Sequence, residues 1–233
     1  MLVSHSKARF VSISAVIVLC GVVFSGPVAV GLVSLLAPQP TWQDTETFAR
    51  NYSWVQSLPY VFGFLIVGGF ILLMSSLNGT GPERFRPLEV TAIAFTGVFA
   101  SLVFANYVLQ TTFIPQWISH CDPIVGFVTM ANPRSLGWSL ELYGYGVLGI
   151  ATAFIAPLFD GHGRQRAIKI SLWANCVVSV ASAALLPIIP GWVLTNLGMV
   201  AGATWNILVA ILMVLLMLEF RFGRSLEERD SRS

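Results

Sequence analysis

Glu141 stands inside an otherwise apolar stretch, Gly137–Phe159. The other formal charges in long apolar runs, Glu89 and Lys169, lie one and two residues from a run's polar end, where long side chains reach back to the interface. With Asn132 as cap and Pro133 as first helical residue, Glu141 is expected about 12 Å down its helix. An ionised carboxylate at that depth is costly unless it is paired, hydrated or protonated, and such residues mark substrate or proton sites. Binding a cation, a proton or a polar ligand is the chemistry it offers.

Its partners sort by depth. Asn106 and Gln110 lie one turn apart, with Tyr107 beside them, and Tyr145 lies one turn below Glu141 on the same face. Asn196 opens the last apolar run from the same side, while Asn175, Thr204 and Asn206 fall nearer mid-membrane. Buried amides and hydroxyls seek partners in hydrocarbon. A polar pocket of Glu141, Asn106, Gln110, Tyr145 and Asn196, opening outward, is therefore expected. The bland alternative is that these residues only hold helices together, with Glu141 bonded to Gln110 or to Arg134.

Other chemistries fare worse. Ser119-His120-Cys121-Asp122 sets three metal-ligating types side by side, without the spacing that lets ligands converge on one ion. His5 and His162 fall on the opposite face. No metal and no cofactor is expected: no histidine lies within a span for haem, and no buried lysine for retinal. Cys20 and Cys176 read as apolar packing residues. No catalytic residue is assigned, since there is no nucleophile elbow and no phosphate- or dinucleotide-binding loop. Asn51-Tyr52-Ser53 matches a glycosylation sequon, a match common by chance.

The elements that must position these residues follow from composition. The 233 residues are 55% hydrophobic and 10% charged, with a mean hydropathy of +0.76. A soluble domain carries roughly a quarter charged residues. A net charge of +2 and the lack of a basic stretch leave nothing to hold nucleic acid. Apolar runs long enough to cross about 30 Å of hydrocarbon occur at Phe10–Ala37, Ser57–Leu77, Leu88–Ile114, Gly137–Phe159, Ala167–Ile189 and Trp192–Leu218. They are continuous and about twice the length of a barrel strand, so helices are expected. Lys7 and Arg9 precede the first run as in a signal peptide, but the run is too long and lacks a cleavage site, so an uncleaved helix is expected.

The expected fold is therefore all-α: one six-helix transmembrane domain over 1–218 and a charged cytoplasmic tail over 219–233. Of the 13 Lys and Arg residues, all but Arg50 and Arg134 fall at one set of span ends. That bias places both termini in the cytoplasm. Trp42, Phe48, Tyr52, Trp54 and Tyr60 suggest an interfacial belt, with a short surface helix in the first outer loop. The turns Asn78-Gly79-Thr80-Gly81 and Asp160-Gly161-His162-Gly163 resemble each other. That could mark a duplicated hairpin, but tight cytoplasmic turns favour glycine and basic neighbours anyway.

Asn106-Tyr107, Gln110, Asn132-Pro133 and Leu140-Glu141-x-x-Gly144-Tyr145 form a pattern. It resembles a group of bacterial six-span integral membrane proteins of uncharacterised activity, in which Asn-Pro-His opens the fourth helix. The likeness covers mainly the third and fourth spans; Arg134 stands at the histidine, whose role therefore does not carry over. It implies a multi-pass protein of a bacterial plasma membrane and a recurrent Glu141–Tyr145 pair, without a substrate. Three functions are open: binding or transport of a small polar or amphipathic molecule; a membrane subunit or assembly factor, with a protein partner or a second copy of itself; and a lipid- or isoprenoid-modifying enzyme using Glu141 as acid.

Overall fold

A computed structural model of the chain describes residues 5–230, with side-chain surroundings for 5–220. Among the described residues there is no strand, and six helices are long and apolar enough to cross a membrane. They run His5–Leu36, Trp54–Leu77, Glu83–His120, Leu136–Leu158, Arg164–Leu185 and Asn196–Phe220, and are called the first to sixth spans. The protein is thus all-α with the composition of a multi-pass membrane protein. The last helix continues to Asp230, so the expected tail at 219–233 begins inside it. The side chains of Arg221, Arg224 and Arg229, and all of Arg232, lie outside the described residues.

Each span packs against its neighbours in sequence, and the sixth packs against the first. Short connections make successive spans antiparallel, and an even number lets the ring close in the same manner. The first and last described residues therefore lie at one end, called the terminal end, together with the turns 78–82 and 159–163. The longer connections 37–53, 121–135 and 186–195 form the loop end. Close approach rests on glycine: a Cβ on Gly21 would stand 2.7 Å from the backbone nitrogen of Ile66, so the first two spans meet backbone to backbone.

One core draws on all six spans, including Val18, Phe70, Phe99, Leu148, Leu172 and Leu212, and fills the terminal half of the ring. A second, smaller core at the loop end packs Phe48 of the short helix Thr45–Arg50 against Ile114, Ile118, Val125 and Val128. The short helix expected in the first long loop is thus present, but it is anchored to the end of the third span and the loop after it. Asp44 caps it, accepting from the Thr47 N–H at 2.7 Å, and those hydrogen bonds hold the Asp44 carboxyl below its ordinary value.

Several boundaries differ from the sequence reading. The fourth span starts at Leu136 rather than at Pro133. Asn132 is spent on its own turn, accepting from Arg134 N–H at 3.0 Å, and Ser135 is the cap. The fifth span stops at Leu185, ahead of Pro187 and Pro190, and Trp192 sits in a separate turn, Trp192–Leu194. Two spans carry π-helical turns, Phe24–Val28 around Pro27 and Leu109–Phe113 just before Pro115. The missing proline N–H and the bulk of its ring loosen the ladder there.

Glu89 does not reach back to solvent as expected. It is 1% exposed and accepts from the N–H groups of Gly79 (2.7 Å) and Gly81 (3.1 Å), closing the first turn. The second turn is built differently: Gln165 accepts from Gly161 N–H at 3.0 Å, and Lys169 donates to Asp160 at 2.8 Å. The two similar sequences therefore fold by different hydrogen bonds.

Candidate functional site

Glu141 lies in the second turn of the fourth span, about 8 Å from its start. Two side chains of the third span donate to its carboxylate: Asn106 Nδ2 to Oε2 at 2.9 Å, and Tyr107 OH to Oε1 at 3.0 Å. The Tyr107 hydroxyl also stands 3.1 Å from that of Tyr145, one turn further along the fourth span. Gly63 makes this possible from the second span, since a Cβ there would overlap the Tyr107 ring.

The side-chain N–H groups of Asn106 and Gln110 are all used within the chain. Gln110 Nε2 donates to Asn106 Oδ1 (3.1 Å) and to Val128 O (2.9 Å), and Gln110 Oε1 accepts from Met130 N–H (3.2 Å). Asn106 Nδ2 also meets Met130 Sδ at 3.0 Å. These amides tie the loop 128–130 to the third span and aim one N–H at Glu141. They hold the carboxylate in place, and every side-chain N–H of the two amides has a partner within the chain.

Glu141 and Tyr145 line a cavity of about 380 Å³ in the loop half of the ring. Tyr60, Trp138, Trp192 and Trp205 line it too, with Ser179 and Ser182 of the fifth span and Gly198, Ala201 and Gly202 of the sixth. The Tyr145 and Trp205 rings meet nearly edge to face, with centroids 4.6 Å apart. The shared core of all six spans packs the terminal half of the ring beyond them. Val30 of the first span and Gly202 of the sixth, both exposed, border the cavity as well. The segment Ala29–Leu36 packs mainly against the second span.

Of the five residues expected to form the pocket, the structure joins four by hydrogen bonds: Glu141, Asn106 and Gln110 directly, and Tyr145 through Tyr107. Asn196 is not among them. It is exposed at the start of the sixth span and does not line the cavity, because the helix begins there rather than at Trp192. Arg134 is exposed in a separate cleft with Tyr143 and Pro187, so it is not the counter-ion of Glu141. Asn175 instead donates to Thr152 at 3.1 Å, a contact between the fourth and fifth spans.

The aromatic wall was not expected. Tyr60 was assigned to the interfacial belt, yet it stands 5.9 Å, ring to ring, from Tyr107 and faces the cavity. Trp205 carried a readable signal, since a tryptophan ten residues into an apolar helix lies away from any belt and must place its N–H in the interior. The indole N–H groups of Trp192 and Trp205 and the hydroxyl of Ser179 are buried without a partner. Among the described residues no group of three His, Cys, Asp or Glu side chains is placed to hold a metal. Compared with known protein families, curated proteins and solved structures, the chain matches none.

Proposed function

We propose that this integral membrane protein binds a small amphipathic molecule in the cavity beside Glu141, the bound state from which transport would start. The observation that carries this reading is a carboxylate held by two donors on one side and facing a cavity on the other. A residue serving only to hold helices together has no need of the cavity. The volume lies toward the small end of small-molecule sites. The aromatic lining and the exposed Val30 at the cavity's border suit a molecule with an apolar body. The core beneath the cavity argues against an open pore. The same reading gives the recurrent Glu141–Tyr145 pair a role, with both termini cytoplasmic in a bacterial plasma membrane.

The test is a thermal-unfolding screen of the purified chain against a panel of small amphipathic compounds. A ligand at 100 times its dissociation constant stabilises by about 2.7 kcal/mol. Compounds that raise the melting temperature of the parent but not of Glu141→Gln support the proposal. A panel in which every shift is the same for the two proteins argues against it.

A further inference from the structure

Resting on that reading, we infer that the occupant is an organic cation: an amine or quaternary ammonium group on a small body. Charge is the first reason. Among the described residues, no Lys, Arg or His pairs with Glu141. Asn106 and Tyr107 supply dipoles, not a positive charge. The carboxylate has about four acceptor positions; two are taken from the third span, and the cavity lies beside the rest.

The walls are the second reason. Tyr60, Tyr145, Trp138, Trp192 and Trp205 surround a space beside one carboxylate. Aromatic faces attract a soft, poorly hydrated cation, and the attraction grows when water is excluded. An inorganic cation would need a cage of oxygen ligands. Here both groups bonded to the carboxylate donate hydrogens to it, and no second carboxylate lines the cavity.

Choline and its uncharged isostere 3,3-dimethylbutan-1-ol differ only in the nitrogen charge. Each is titrated calorimetrically into the full chain in lipid nanodiscs at neutral pH. The expected result is saturable binding of choline at least about tenfold tighter than that of the alcohol. Glu141→Gln and Trp205→Leu should each weaken it by about tenfold or more. The comparison of the two probes needs no variant, so it decides even if one variant fails to fold. Equal binding of the two probes, or tighter binding of the alcohol, overturns the cation while leaving the cavity a ligand site. Binding of neither probe overturns both readings.

Discussion

At the scale of single residues, the Glu141 cluster makes unequal demands on its members. Tyr107→Phe removes one donor to the carboxylate and one contact with Tyr145. Hydrogen bonds between membrane helices average about 0.6 kcal/mol, so the loss should be about 1 kcal/mol. Asn106→Leu is harsher: it orphans a Gln110 N–H as well as a carboxylate oxygen, and each buried orphan costs about 1–3 kcal/mol. Denaturant unfolding in micelles should rank Asn106→Leu well below Tyr107→Phe; the reverse order would mean that the amide network is idle. Glu141, Asn106, Gln110 and Tyr145 were legible because amides and acids are rare in apolar runs, so each one stands out. Tyr107 as the hub was not, because a tyrosine near a helix end also reads as an interfacial residue. Asn196 misled because its role depended on where the sixth helix begins, and proline and glycine at 187–191 move that start inward.

At the scale of elements, helix contacts and turns should fail in different ways. Gly21→Ala forces a methyl group against the Ile66 backbone and should destabilise by about 1–3 kcal/mol. Gly68→Ala, on the second span where a Cβ meets open space, should stay within about 0.5 kcal/mol of the parent. Equal effects at the two sites would contradict the packing of the first two spans. In the turn between the fourth and fifth spans, the hydrogen bond and charge of Lys169 hold the Asp160 carboxyl below its ordinary value. A carboxyl depressed by folding stabilises above its unfolded value and loses that contribution as pH falls through the folded one. Asp160→Asn should therefore be less stable than the parent at neutral pH, and the gap should close as the pH falls below about 4. A gap that persists in acid would place the effect elsewhere. Span number was legible from run length alone. The closing contact between the sixth and first spans was not, since a span that is apolar all round shows no periodicity to say which side faces a neighbour.

At the scale of the whole molecule, the ring is filled at its terminal end and hollow at its loop end. The basic residues described near the termini and the turns, among them Lys7, Arg84, Arg86 and Arg164, predict that the filled end faces the cytoplasm. Reporter fusions at the C-terminus and in the loop around Arg134 should therefore report opposite sides, cytoplasmic for the first. A reversed pattern would turn the cavity inward without removing it. The central claim is that Glu141 serves a molecule in that cavity, and native mass spectrometry of the gently purified chain tests it most directly. The account predicts a retained small molecule on the parent that is absent from Glu141→Gln and from the cavity-filling Ala201→Phe. A molecule retained equally by all three proteins would contradict it, as would a stoichiometric protein partner in place of any small molecule.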